Sequence, residues 1–421
     1  MSGAPAVATT GSRTVTADDI ARARAAIGDI VRHTPVLPSA TLTERLGVPV
    51  VLKAESLQRT GSFKIRGALS KLAALGDGCA AGVACGSAGN HAQALAFAAR
   101  ERGVRCEVFM PEGAPIAKAE ATAALGAHVR MVGGSVDECL VTAQDRAREA
   151  GLVFVHPFDD PDIVAGQGTL GLELLEDIPD LATVIVPVGG GGLASGVAIA
   201  VKSARPEVEV IGVQVDTVAA FPASLKAGHP IAVDTALTIA DGIAVKRPGD
   251  LTLDLIGRWL DGVVVVPEDE VAEAMVVLME KAKLVVEGAG AVGVAALLAG
   301  EVAPSGSGTT CVVLSGGNVD AGLLASVARR HETEAGRRIV LVTRVPDRPG
   351  ALAKLLQCVA EAGGNIVDVS HVREGIGLHV RETGVQMTIE TRSPEHATEV
   401  VAAVEHAGYG VWRYPGAYAE S

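Results

Sequence analysis

The chain has 421 residues, 48% hydrophobic and 20% charged, so it holds apolar material for a large core and is not a disordered chain. Aromatics are only 3%, which leaves Ala, Val, Leu and Ile to build that core. With 36 basic against 49 acidic residues the net charge is −13, which argues against nucleic acid or an anionic membrane as partner.

Met1 to Thr16 lacks a basic start followed by an apolar run, so no secretory leader is expected. From there to about residue 330, short β-branched runs alternate with longer Ala-rich stretches. The expected strands are Val50 to Leu52, Val83 to Cys85, Val104 to Phe109, Val153 to Val155, Val184 to Val188, Val208 to Val215, Val263 to Val266 and Cys311 to Leu314. Helices are expected over Ala92 to Arg102, Pro115 to Leu125, Val136 to Ala150, Leu193 to Ala204 and Glu270 to Lys283. Strands joined by crossover helices imply an α/β fold with parallel sheets covered on both faces. Such folds bind ligands beyond the carboxyl ends of their strands. Leu181 to Val201 has no charge over 21 residues, but Pro187 and Gly189 to Gly192 in its middle read as strand, loop and helix rather than a membrane span. Six scattered cysteines (Cys79, Cys85, Cys106, Cys139, Cys311, Cys358), with no C-x-x-C pair, disfavour zinc or disulfides and suit a reducing cytoplasm.

The last 85 residues follow another pattern. Strand Ile339 to Val345 leads through Asp347-Arg348-Pro349-Gly350 into a helix with Leu352, Leu355, Leu356 and Val359 on one stripe. Strands Ile366 to Val372 and Val385 to Thr391, a helix from Pro394, and a strand Tyr409 to Tyr414 complete a βαββαβ, ferredoxin-like order. The expected division is 1–332, a linker at 333–336 within the polar segment His331 to Gly336, and 337–421.

Four loops carry the chemistry. Ser62-Phe63-Lys64-Ile65-Arg66-Gly67 opens a helix, with Ser62 as N-cap and Lys64 in the first turn. The positive helix end disfavours an ammonium there, biasing Lys64 toward the neutral amine that a Schiff base needs. Gly86-Ser87-Ala88-Gly89-Asn90-His91, with Asn90 as a capping residue, exposes N–H groups at a helix start, a carboxylate-sized anion site. Gly189-Gly190-Gly191-Gly192-Leu193 lets main-chain amides wrap a phosphate, and the absence of G-K-[ST] disfavours a nucleotide P-loop. Ser315-Gly316-Gly317-Asn318 offers a hydroxyl at a strand end. Each loop alone also has an ordinary reading, as a surface lysine or a βα turn. Gly189, Gly191 and Ala194, with Asp216 ending the next strand, further match a dinucleotide fingerprint, though the match is degenerate inside a glycine run. Together the loops describe one ligand with an aldehyde, a phosphate and a ring, and a second with a carboxylate; pyridoxal 5′-phosphate and an amino acid fit.

At these residues the chain resembles the fold-type II pyridoxal-phosphate enzymes, and most closely the threonine dehydratases (threonine ammonia-lyases). Further matches are Arg32-His33-Thr34-Pro35, His156-Pro157-Phe158-Asp159-Asp160, Ala165-Gly166-Gln167-Gly168-Thr169 and Ala240-Asp241-Gly242-Ile243-Ala244-Val245. Residues 337–421 resemble an ACT domain through Asp347 to Leu352 and Asn365-Ile366. The resemblance implies two open α/β subdomains, the smaller spanning roughly residues 60–165. It implies that Lys64 carries the cofactor covalently and then removes the substrate α-proton. Phe63, Asn90, Gly189 to Gly192, Leu193 and Ser315 would hold the cofactor, and Ser87, Ala88, Gly89, Asn90 and His91 the substrate. The implied reaction is deamination of L-threonine to 2-oxobutanoate and ammonia, with L-serine to pyruvate beside it. Ser315 at the ring nitrogen, in place of a carboxylate, makes a weaker electron sink and suits β-elimination. Ala88 stands where related serine racemases carry a second serine, so racemisation should be weak. Gln214 stands near the position of a metal-binding glutamate in other relatives, and no metal site is expected. Gly350 and Asn365 would bind an effector, isoleucine or valine, in a homo-oligomeric dimer or tetramer. A serine-preferring dehydratase, an NAD-dependent dehydrogenase and a non-catalytic amino-acid sensor are the rival readings.

Overall fold

The computed structural model describes residues 14–234, 236–372 and 379–413. Residues 1–13, which hold most of the segment read as lacking a leader, and Tyr414 of the expected last strand lie outside the described residues. Two compact units form, Met1–Val319 and Asp320–Ser421.

The first unit holds strands β1 (Val36–Pro38), β2 (Val50–Ala54), β3 (Val83–Gly86), β4 (Cys106–Met110), β5 (His128–Met131), β6 (Val153–Phe154), β7 (Leu181–Pro187), β8 (Glu209–Val215), β9 (Gly262–Val266) and β10 (Thr309–Leu314). They make two sheets, in the orders β1-β2-β10-β7-β8-β9 and β5-β4-β3-β6. Every pairing is parallel except β1 with β2. In the larger sheet Val312 lies between Leu52 and Ile185, so the loops that follow β2 and β10 leave it side by side. β10 is buried along its whole length, as a strand with helices on both faces must be. All eight expected strands form.

Small residues set the helix packing. The helix Asn90–Arg102 buries Ala92, Ala94, Ala96, Ala98 and Ala99. Helices Pro161–Asp177 and Gly192–Ala204 cross where a Cβ on Gly196 would stand 2.4 Å from the Val164 carbonyl oxygen. On the other helix a Cβ at Gly168 would lie 2.8 Å from the Gly196 carbonyl oxygen and one at Gly166 2.5 Å from the Arg66 carbonyl oxygen, which accounts for the glycines of the Ala165 to Thr169 segment. The helix Gly288–Leu298 has no signature in the sequence, because it is apolar on every side and buried from Gly288 to Leu297, so it shows no 3.6-residue alternation. β1 and β5 are edge strands without a buried alternating face, and they too lie outside the expected set. The 181–201 stretch is strand, loop and a 13-residue helix, and among the described residues no helix is long and apolar enough to cross a membrane.

The second unit begins with the helix Ala321–Glu334, so the expected linker 333–336 opens on helix rather than coil. It continues with β11 (Arg338–Pro346), a helix Ala351–Glu361, β12 (Asn365–Val372), β13 (Glu382–Glu390), a helix Pro394–His406 and β14 (Val411–Arg413). The antiparallel sheet runs β12-β13-β11-β14, the expected ferredoxin-like arrangement. Val385, Met387 and Ile389 point alternately inward and pack with Leu341, Leu355, Val359, Val400 and Val404.

Candidate active site

Three of the four loops follow the carboxyl ends of β3, β7 and β10, and the fourth follows β2. The neighbouring loops after β2 and β10 pair directly: Ser62 bridges Gly316, Phe63 N–H donates to Ser315 O, and Gly317 N–H to Gly61 O. This pairing corrects the expected cap. Ser62 is extended and buried, its hydroxyl has no partner among the described residues, and Phe63 takes the N-cap position before Lys64.

The loops enclose a narrow cleft lined by Phe63, Lys64, Asn90, Gly189 to Gly192, Leu193, Glu287 and Ser315. It opens into a cavity of about 790 Å³ lined by Ser87, Ala88, Gly89, Asn90 and His91, with Lys64, Phe158, Gly190 and Glu287 shared between the two. Every residue expected to hold the cofactor thus lies in the cleft, and every residue expected to hold the substrate in the adjoining cavity. Gly350 and Asn365 belong to the second unit, where Gly350 (φ +82°) caps the helix Ala351–Glu361 and Asn365 Nδ2 donates to Glu390 Oε2 at 2.8 Å.

Lys64 is the first residue of the helix Lys64–Leu75, and its Nζ donates to Pro157 O at 2.9 Å. Burial lowers its pKa to about 8, with Glu287 pulling the other way. Desolvation thus biases the amine toward its neutral form, in the same direction as its place at the helix start. Behind it, Arg66 anchors the same helix. Its guanidinium binds both oxygens of Glu55 at 2.7 and 2.8 Å and of Glu173 at 2.7 and 3.1 Å, all buried.

Asn90 is not the cap of its helix. Gly89 occupies that position, no side chain caps the first turn, and its amides are left for a ligand carboxylate. The Asn90 side chain instead reaches across the cleft, Nδ2 donating to Glu287 Oε1 and Oδ1 accepting from Asn318 Nδ2, each at 2.7 Å. Ser87 Oγ accepts from Gly89 N at 3.3 Å. His91 is buried, donates to Val155 O, and is held neutral with a pKa of about 3 by burial and by Lys64. It packs the helix start with its ring donating to the Val155 carbonyl. His156 accepts from Asp159 N (2.8 Å) and Phe158 N (3.3 Å) at Nδ1, and burial lowers its pKa as well. Gln214 bridges Val188 O and Phe221 N.

The donor set fits pyridoxal phosphate. The helix Gly192–Ala204 has no capping side chain, so the amides of its first turn face the cleft at the positive end of the helix. Gly191 is left-handed at φ +91°, which aims this turn. Among the described residues Ser315 Oγ donates only a long hydrogen bond, to Ala289 O at 3.5 Å, so its O–H is weakly committed. Phe158 seals the loop so closely that a Cβ on Gly190 would lie 2.1 Å from its Cγ. Gly190→Ala should therefore displace the ring or the loop at a cost of about 1–3 kcal/mol. A matching loss of pyridoxal-phosphate affinity, read by titrating cofactor-free protein, checks it.

Glu287 belongs to none of the four loop motifs, although it is the lone charge between Leu284 and Leu298. Burial, joined by Asp241, raises its pKa to about 7.

The pyridoxal-phosphate dependent enzyme family matches residues 27–316, and the ACT domain family residues 339–406. An L-threonine ammonia-lyase of Thermotoga maritima is 44% identical over 398 residues, 94% of this chain and 99% of that relative. Maize serine racemase superposes with a TM-score of 0.72 at 36% identity, covering 76% of this chain and 98% of its own. The processed form of threonine deaminase isoform 2 from Solanum lycopersicum gives 0.70 at 32% identity, covering 76% and 91%. With its lysine, glycine loop and serine gathered in one cleft, the chain belongs to the pyridoxal-phosphate dependent enzymes and carries a C-terminal ACT domain.

Proposed function

We propose that the protein is a threonine ammonia-lyase, converting L-threonine to 2-oxobutanoate and ammonia and L-serine to pyruvate. The observation that carries this reading is the position of Lys64, on the boundary between a phosphate-and-ring cleft and a carboxylate-binding cavity. In the cleft Gly189 to Leu193 would hold the cofactor phosphate by main-chain amides, Ser315 and Asn90 would hydrogen-bond the ring, and Phe63 would lie beside it. When bound, pyridoxal phosphate supplies an electron sink for the substrate α-carbon. Ser87 to His91 orient the substrate carboxylate with a hydroxyl and helix-start amides. Lys64 takes the α-proton, and its lowered pKa leaves roughly half its amines free at pH 8 where an ordinary lysine has well under a hundredth. Ala88 in the same cavity carries no proton-bearing group, so this position adds no second base for racemisation.

A pale violet-absorbing holoprotein whose band is lost irreversibly on borohydride treatment, and which releases 2-oxobutanoate from threonine, is the expected result. A colourless protein that pyridoxal phosphate does not restore would overturn the reading. Threonine and serine differ by one methyl group, worth roughly 1–3 kcal/mol of discrimination, so both should turn over at rates within about two orders of magnitude.

Catalysis is assigned to residues 1–332 and effector binding to 337–421, where Gly350 and Asn365 meet isoleucine or valine between protomers of a dimer or tetramer. The expected result is an isoleucine response in the full chain that is lost when residues 337–421 are deleted; a response that survives the deletion refutes it. All six cysteines are free, which suits a reducing cytoplasm.

A further inference from the structure

Among the described residues lining the narrow cleft, Lys64 and Glu287 carry ionisable charge, and the chemistry above leaves Glu287 without a task. A carboxylate only 5% exposed is costly unless its neighbours make use of it. Its hydrogen bonds show what that use is. Asn318 Nδ2 donates to Thr60 O at 2.8 Å and to Asn90 Oδ1 at 2.7 Å. Asn90 Nδ2 in turn donates to Glu287 Oε1 at 2.7 Å.

The chain of bonds therefore begins at a group that can only accept, a backbone carbonyl, and ends on a carboxylate, which when ionised can only accept. With Glu287 ionised, each amide between them has one favoured orientation. Flipping Asn90 would turn its oxygen toward the Glu287 carboxylate and its NH2 toward the NH2 of Asn318, two repulsive contacts in a buried site. With Oδ1 and one N–H committed, Asn90 has a single N–H left, and Asn90 lines the cleft.

We propose that Glu287 is a positioning residue for the cofactor: acting through Asn90, it fixes that amide so that an N–H, not an oxygen, is offered to the cofactor ring oxygen. The inference rests on pyridoxal phosphate being the ligand of the cleft. Without Glu287 one of the two contacts that exclude the flipped amide is lost and Asn318 alone opposes it, so the N–H is offered to the ring oxygen less of the time.

The test is a double-mutant cycle on the full chain, stripped of cofactor and titrated with pyridoxal phosphate by absorbance, with melting curves to confirm folding. Glu287→Ala should weaken binding about tenfold. Glu287→Gln, which keeps an acceptor for Asn90, should recover to within about threefold of the parent. In an Asn90→Ala background the Glu287→Ala change should add no more than about twofold, because the group it acts through is gone. Unchanged affinity in Glu287→Ala, no recovery in Glu287→Gln, or full additivity in the double variant would each overturn the inference. If Glu287→Ala does not fold, Glu287→Asp, one methylene short of the 2.7 Å contact, takes its place in the cycle with the same expectations. A parent protein that binds no pyridoxal phosphate refutes the functional reading itself. A parent that binds and a Glu287→Ala variant that binds equally well refutes only the role of Glu287.

Discussion

Alanine at position 64 should lower threonine deamination by at least about 10⁴-fold, the upper range for a positioned general base, because the covalent anchor is lost with it. The fold should not suffer. Lys64 Nζ donates to the Pro157 carbonyl alone among the described residues, and it is held in a setting that already disfavours its charge. Release of 2-oxo acid from threonine, measured beside a melting curve, separates the two effects. Turnover near the parent rate would remove Lys64 from the mechanism and the mechanism with it. A melting point lowered by many degrees would instead mark the lysine as structural.

The second large effect is on stability. Arg66→Ala should destabilise the first unit by about 3–5 kcal/mol, the usual consequence of removing one partner from a buried ionic network. Arg66 is 1% exposed and satisfies Glu55 and Glu173 together. Lys53, also buried, keeps its contacts to Glu173 (2.7 Å) and Asp177 (3.1 Å), but among the described residues Glu55 would retain only the Thr34 hydroxyl as a side-chain partner. Burial alone would raise the Glu173 pKa; Arg66 and Lys53 outweigh it and hold the carboxyl below its ordinary 4.5. A depressed carboxylate contributes stability that is complete above the unfolded-state pKa and is lost as pH falls through the lower folded-state value. The parent should therefore lose stability on acidification below about pH 4.5, and Arg66→Ala should show a shallower acid dependence on a lower baseline. Chemical denaturation at pH 7 and pH 4 measures both, and a variant within about 1 kcal/mol of the parent at pH 7 would refute the argument. Because Arg66 lies two residues after Lys64 on one helix, turnover should fall as well.

How much of this is legible in the sequence differs from element to element. The strands Val184 to Val188 and Cys311 to Leu314 are visible because β-branched runs bounded by glycine and proline have few other uses. The ferredoxin-like unit is visible because Val385, Met387 and Ile389 alternate with polar residues in the sequence, and all three pack into its core. By contrast, the helix Gly288–Leu298 is buried all round, and a pattern with no polar side carries no period. Ser62 reads as a cap because hydroxyl residues before a helix usually are; its backbone is instead drawn into a bridge with Gly316, 254 positions away.

The site divides along the same line. Lys64, the glycines 189–192, Ser315 and the Ser87 to Asn90 turn are determined locally. Each needs a particular residue type at a strand end or helix start, and that requirement is written in consecutive residues. Tertiary packing determines what those residues experience. Burial adds to the neutral bias of Lys64, and the orientation of Asn90 comes from Thr60, Asn318 and Glu287, brought together from three distant segments. Desolvation and hydrogen-bond direction depend on what closes around a group in space, and no run of neighbouring residues contains that information.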